Sequence, residues 1–267
     1  MNRRDFLIGA ASGASSAIVL GAAGKGLTGP GAATADAPLP EVPPLPPPTP
    51  ALYQGRRSFA QQGEDLILYN LLCHDLKIQA PTYLDIGAGD PVLSNNTYAL
   101  YLTGSRGVLV EPNPTLVRKL KAVRPGDVVI GCGVGLRETT AADYYVIRGN
   151  WPLNTFSPEA VAEYRKQWAA DPVERVLRMP LIAINQLMTD HFGSAPDLLS
   201  IDVEGLDLAV LRTMDYRAHR PAAICAETKK PGMSHDRTPI AQFLRGKGYV
   251  ACAGSLYNTI FVDRSRL

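Results

Sequence analysis

The chain predicts an α/β domain built on a doubly wound, mostly parallel sheet of seven strands with an antiparallel terminal strand. Three observations carry this expectation. Short apolar runs alternate with amphipathic stretches from Tyr83 onward, a glycine-containing turn follows the first run directly, and the last two β segments stand too close together for a crossover helix.

The elements follow in order. Tyr83-Leu84-Asp85-Ile86 is the first strand; it runs into Gly87-Ala88-Gly89, and Asn95 or Asn96 then caps a helix through Leu102. Val108-Leu109-Val110 is the second strand, closed by Glu111-Pro112, and Val128-Val129-Ile130 is the third. Leu198 to Ile201 and Ala222 to Ala226 supply the fourth and fifth. Tyr249 to Cys252 and Thr259 to Val262 form the closing antiparallel pair. Between the third and fourth strands lies a long segment with a β piece from Ala142 to Ile147, Trp151, and a helix after Pro158. Upstream, Gln61, Glu64 and Asp65 open an apolar helix running to Leu72, and both capping and cleft lining explain them.

The totals fit one such domain with a leader attached. The chain has 267 residues, of which 46% are hydrophobic and 19% charged, a globular balance. A formal charge of +2, with no basic stripe interleaved with aromatics, excludes nucleic acid as the partner. The four cysteines are far apart and lack metal-ligand spacing; Cys132, Cys225 and Cys252 sit in or beside apolar runs and read as small core residues.

Ahead of the domain, residues 1–35 read as a leader. Arg3-Arg4 precede Phe6 and Leu7, the stretch from Phe6 to Ala23 is uncharged and diluted with Gly, Ala and Ser, and Ala33-Thr34-Ala35 offers a small-x-small cleavage site. This pattern resembles a twin-arginine export signal and predicts transport to the periplasm or cell surface, with a cytoplasmic location if the leader does not work and membrane contact only through an uncleaved leader. Residues 36–57 form a linker with eight prolines in the thirteen residues from Pro38 to Pro50, an extended spacer unable to join a sheet. The folded domain spans 58–267.

Open α/β sheets bind ligands outside the carboxyl ends of their strands, where the strand order reverses. Gly87 and Gly89 let the chain turn sharply there and bring backbone amides to a ligand. The second strand ends in Glu111, whose carboxylate suits the two hydroxyls of a ribose. A dinucleotide fingerprint needs a third glycine, and Val92 stands in its place. Two glycines and a ribose acid suit a nucleoside ligand without a pyrophosphate, and S-adenosylmethionine is such a ligand.

Several stretches then resemble one family in order along the chain. Ser58-Phe59-Ala60-Gln61-Gln62-Gly63-Glu64-Asp65, Leu84 to Pro91, Ser94-Asn95-Asn96-Thr97-Tyr98 (with one asparagine more than is usual), Val108 to Pro114, Leu153-Asn154-Thr155-Phe156-Ser157, Leu199 to Gly205 and Ile224 to Thr228 are similar to motifs of the FkbM-type methyltransferases. The resemblance implies a class I, Rossmann-like methyltransferase fold, S-adenosylmethionine as cofactor, and methyl transfer to oxygen on a small-molecule or glycan acceptor. It implies no metal.

On this reading Gly87, Ala88 and Gly89 line the methionine end of the cofactor, Asp85 orients that loop, and Glu111 binds the ribose. Asp202 and Glu204 close the fourth strand and Glu227 ends the fifth, so adjacent strands bring three carboxylates to one cleft; Asp202 also faces the cofactor. Clustered acids raise one another's pKa and suit a general base for an alcohol, while Glu204 ahead of Gly205 also suits a helix cap. Asn154 and Thr155 are acceptor-site candidates, and a structural turn explains them equally. His235 falls in a loop near the cleft mouth; His74, His191 and His219 have no motif around them. The alternative function is an exported, non-catalytic binding module that keeps the fold.

Overall fold

Every apolar run singled out above becomes a strand. The computed structural model describes residues 57–136, 139–228 and 237–267, so the leader, all of the linker but Arg57, and His235 lie outside the described residues. The strands are β1 (Tyr83–Ile86), β2 (Gly107–Val110), β3 (Val128–Ile130), β4 (Gly133–Gly135), β5 (Ala141–Ile147), β6 (Val173–Ala183), β7 (Leu198–Ile201), β8 (Ala223–Glu227), β9 (Tyr249–Gly254) and β10 (Asn258–Asp263). Seven of them form one sheet in the order β3-β2-β1-β7-β8-β10-β9, parallel except for β10. The antiparallel strand is last in the chain but lies inside the sheet, between β8 and β9. The order reverses between β1 and β7, which makes that junction the switch point.

All four residues of both β1 and β7 are buried, as parallel strands covered on both faces require. Leu84, Ile86, Val108, Val110, Leu199, Ile201 and Ile224 point to one core, with α5 (Ile184–Phe192), α6 (Asp207–Thr213) and α7 (Pro239–Gly246) packed on it. Tyr83, Leu109, Leu198, Ala223 and Cys225 point to the other. That face is covered by α1 (Glu64–Tyr69) with its wider-turned continuation Asn70–Asp75, α2 (Tyr98–Leu102) and α3 (Pro114–Val123). The alternation of neighbours along each strand between two cores is the doubly wound pattern. Among the described residues, no helix is long and apolar enough to cross a membrane.

Helix starts follow from local chemistry. Asn113, Ser157 and Thr238 accept a backbone hydrogen bond at the starts of α3, α4 (Pro158–Gln167) and α7, each with proline in the first turn. The expected asparagine cap after the glycine turn is absent: α2 begins at Tyr98, because Asn95 Oδ1, the acceptor a cap would use, is taken by Arg124 and the Thr97 amide, while its amide nitrogen holds the Ala88 and Asp90 carbonyls. Glu64 and Asp65 are fully buried and tie the start of the domain together. Asp65 accepts from the Ser58 hydroxyl and the Phe59 amide, and Glu64 from Ser255 and Asn258 beside the β9–β10 turn. Cys132 and Cys225 are buried as expected, but Cys252 is exposed, since its position on β9 faces out from the last strand of the sheet.

The small second sheet, β4-β6-β5, was not legible beyond β5. It projects from the end of β3 and carries the segment between the third and fourth strands of the main sheet.

Beneath the switch point lies a buried cation. Arg124 has no exposed surface; its Nε donates to Asp127 at 2.8 Å, Nη1 to Asn95 Oδ1 at 3.1 Å, and Nη2 to the Tyr83 and Thr97 hydroxyls at 2.9 and 3.0 Å. Thr97 in turn donates to Asp85 at 2.7 Å. Arg124→Met removes the charge and leaves the Asp127 carboxylate buried without its ion pair, so it is expected to cost about 3–5 kcal/mol, measured as loss of unfolding free energy in urea. A loss under about 1 kcal/mol would refute the structural role given to this cation.

Candidate active site

The site is assembled at the carboxyl edge of β1, β2, β7 and β8. The glycine turn leaves β1 with Gly87 and Ala88 amides both donating to the Val110 carbonyl, at 2.9 and 3.2 Å. Gly87 has φ +80°, and a Cβ there would stand 1.9 Å from the Asp202 carbonyl oxygen. Only glycine fits, because the end of β7 is pressed directly against the turn. Asp202 continues the β1–β7 pairing with its amide on the Ile86 carbonyl at 3.0 Å.

Glu111 is buried rather than solvated, 3% exposed, and its carboxylate accepts from the Gly89 amide at 2.9 Å and the Asn113 amide at 2.7 Å. Burial pushes its pKa up to about 7, with Asp85 adding to the rise and the two amides opposing it. Asp85 is raised in the same way by burial, offset by Thr97, Arg124 and Ser200. It therefore sits behind the turn as a brace. Asn95 completes that brace from the other side, and Asn96 reaches toward Ser200 on β7.

Asp202, Glu204 and Glu227 are brought together, as their strand positions predict. Asp202 Oδ1 is buried without a hydrogen-bond partner. Burial raises its pKa well above the carboxylate range, and Glu204, Glu227, Asp207 and Asp85 raise it further. Glu204 lies outside the N-cap position of α6, which is Leu206, and has φ +50°; Asp207, the first residue of that helix, turns back on the preceding loop and accepts from the Val203 amide at 3.3 Å. Asp207 is 3% exposed, and burial followed by the Glu227 charge lifts its pKa to about 7. A cavity of about 270 Å³ opens beside these acids, with Asp207, Glu227, Thr228 and Thr238 on its polar side and Leu208 and Ile240 on its apolar side. Among the described residues, no group of three or more His, Cys, Asp or Glu side chains is arranged to hold a metal.

A model of the methyltransferase FkbM domain matches residues 85–251, more than half of the chain. The chain belongs to the FkbM methyltransferase family. A sequence comparison with curated proteins gives no match. Solved structures similar to this FkbM-family chain include a TehB-like SAM-dependent methyltransferase from Corynebacterium glutamicum, 12% identical over 76% of this chain and 88% of that one, with a TM-score of 0.38. Aeropyrum pernix fibrillarin in complex with natively bound S-adenosyl-L-methionine is 16% identical over 74% and 72% of the two chains, TM-score 0.38. The 1,6-didemethyltoxoflavin-N1-methyltransferase of Burkholderia thailandensis, with bound 1,6-didemethyltoxoflavin and S-adenosylhomocysteine, is 10% identical over 75% and 77%, TM-score 0.38. The strand order, rather than this remote likeness, fixes the class I, Rossmann-like fold.

In this FkbM domain the segment between β3 and β7 forms a roof over the crevice. Thr155 pairs with Tyr145 through both backbone hydrogen bonds, closing a loop whose tip is Trp151-Pro152-Leu153. The Trp151 ring lies against Gly89, where a Cβ would meet it at 2.6 Å. Asn154 Oδ1 accepts from the Ile147 amide at 2.8 Å and Thr155 Oγ1 from the Ser157 amide at 3.0 Å, so both acceptor-site candidates also shape the loop. Tyr144 on β5 feels the charges of Glu111 and Glu204, and Tyr164 on α4 those of Glu204 and Glu227; burial and these charges raise the Tyr164 hydroxyl to about 12.

Sequence reasoning missed Asp207, Tyr144, Tyr164 and the contact made by Trp151. Only Asp207 carried a signal, as an acid in the first turn of the helix after the fourth-strand motif.

The raised acids have a stability signature. Folded Glu111 and Asp207 keep protons to about pH 7, whereas an unfolded chain releases them near pH 4. The folded state therefore binds more protons between those values, and stability falls as pH rises from about 4 to about 7. Urea unfolding across that range is expected to lose on the order of 2–4 kcal/mol, and Glu111→Gln to flatten the fall. A profile that rises with pH would contradict the buried, proton-holding state of these acids.

Proposed function

We propose that this FkbM-family chain is an S-adenosylmethionine-dependent O-methyltransferase acting on a hydroxyl of a glycan, glycolipid or secondary metabolite. The observation that carries this reading is the set of interacting carboxyls, Asp202, Glu204, Asp207 and Glu227, at the carboxyl ends of β7 and β8 beside a glycine turn. The residues fit the cofactor. The turn at Gly87 to Gly89 brings backbone to the switch point, Glu111 retains lone pairs for ribose hydroxyls after accepting two amides, and the unpartnered Asp202 Oδ1 suits a cation.

When bound, S-adenosylmethionine supplies a methyl group on a positively charged sulfur, an electrophile for the acceptor oxygen. The chain's own part begins with the base. An alcohol is a poor nucleophile until its proton is leaving, and a carboxylate of the Asp202–Glu204–Glu227 group is placed to take it. Burial and the neighbouring carboxylates hold Asp202 protonated more readily than an ordinary carboxyl, and a cation in the crevice opposes that effect and favours the ionised, basic form. The cavity lined by Asp207, Glu227 and Thr228 is the place for the acceptor. Rate follows mainly from holding the two reactants in line.

Calorimetry on the full chain is expected to register binding of both S-adenosylmethionine and S-adenosylhomocysteine. Asp202→Asn should weaken S-adenosylmethionine at least about tenfold, by removing a charge opposite a cation. Absence of binding by a folded wild-type chain would end this reading.

The Arg3-Arg4 leader supports export, and export in turn favours the second reading, a binding module that has the fold without turnover. Fusing residues 1–57 to a reporter tests the leader. Changing Arg3-Arg4 to Lys-Lys is expected to leave the reporter in the cytoplasm, and a location unaltered by the change would discard twin-arginine export.

A further inference from the structure

The roof contains polar groups that neither the glycine turn nor the carboxylates use. Asn154 is 8% exposed, and its Oδ1 is held by the Ile147 amide at 2.8 Å. That bond fixes which end of the amide is the donor. Nδ2 is buried and closes no hydrogen bond, although it stands beside the Tyr144 hydroxyl. A buried donor left unused costs about 1–3 kcal/mol, so a native chain keeps one where a ligand atom completes it.

Tyr144 is placed by the same loop. It is 4% exposed, and its ring packs on Phe156 with centroids 4.8 Å apart at 49°. Burial and the nearby Glu111 and Glu204 charges push its hydroxyl well above the usual range, so it stays a neutral donor at any working pH. The tip of the loop is seated on Gly89, whose amide is held by Glu111. The roof is thus anchored at the point where Glu111 meets the glycine turn.

The chemistry of a ribose decides what these donors would serve. Its hydroxyls donate as well as accept, and its ring oxygen only accepts. Glu111 as a carboxylate only accepts, so it satisfies the hydroxyl protons and leaves the sugar oxygens without donors. We propose that Asn154 Nδ2 and the Tyr144 hydroxyl enclose the ribose of the adenosyl cofactor together with Glu111, donating hydrogen bonds to its oxygens. This rests on the cofactor assignment made above and assigns Tyr144 as a further binding residue. It also moves Asn154 from the acceptor side of the site to the cofactor side.

Calorimetry with the full chain separates this inference from the reading it rests on. Wild type binds S-adenosylmethionine and S-adenosylhomocysteine, which share the ribose. Tyr144→Phe and Asn154→Asp, the latter keeping the oxygen that Ile147 needs, each weaken both ligands by the same factor, about five- to tenfold. The melting temperature of each variant is read alongside, so that the loss of affinity is scored on chains that remain folded at the temperature of the titration. Binding of both ligands by Tyr144→Phe within about twofold of wild type overturns the inference alone, and so does a loss confined to S-adenosylmethionine, which places the pair at the sulfonium. If wild type binds neither ligand, the cofactor assignment itself falls and the inference with it.

Discussion

A single buried guanidinium governs the geometry of the glycine turn. Arg124 follows the last residue of α3, and its donors reach Asp127, Asn95, Tyr83 and Thr97 from a position with no solvent contact. A charge in that setting is tolerated only when its donors are matched, since desolvation costs several kcal/mol per ion. The matching is what shapes the site. Asn95, oriented by Arg124 and by the Thr97 amide at 3.0 Å, has its own amide free to tie the Ala88 and Asp90 carbonyls. Thr97, accepting from Arg124, directs its proton to Asp85. The turn is therefore held from below by a network that never touches the crevice itself.

That support has a counterpart in the sheet. Gly87 lies so near the Asp202 carbonyl that the first and fourth strands of the parallel half are locked edge to turn, with no space for any side chain between them. The same closeness drives the electrostatics. Carboxyls from the ends of β1, β2, β7 and β8 share one poorly hydrated corner, so burial and like charge raise Asp202, Asp207 and Glu111 together. Such a corner lowers stability near neutral pH, and its retention marks a place where a positive ligand or a proton in transit offsets the repulsion.

The main sheet was legible because its strands are short apolar runs closed by turn residues, and parallel strands buried on both faces leave that signature. Tyr83-Leu84-Asp85-Ile86 and Leu198-Leu199-Ser200-Ile201 needed no tertiary information. β6 was not legible for the opposite reason: its eleven residues are mostly half-buried or exposed, with Glu174, Arg175 and Arg178 among them, so neither alternation nor an apolar run stands out. Asn95 looked like a helix cap because caps and loop braces draw on the same short polar side chains, and only the position of Arg124 decides between them. Glu204 misled in the same way: an acid ahead of Gly205 suits a helix cap by composition, but its backbone is left-handed and the N-cap position falls to Leu206.

The roof explains why one insertion influences both ends of the site. A βα unit fixes its carboxyl-end residues through the sheet, but nothing in the sheet spans from Glu111 on one side of the switch point to Glu227 on the other. The segment from β5 to α4 does so: Trp151 rests on the glycine turn, Tyr144 faces Glu111 and Glu204, and Tyr164 faces Glu204 and Glu227. Glu204 is the acid whose charge both tyrosines feel. A displacement of the Trp151 tip would carry β5 with it through the Tyr145–Thr155 pairing, and so alter the surroundings of Glu204. The glycine turn and the carboxylate cluster are in this way joined through one short hairpin, by packing and charge alone.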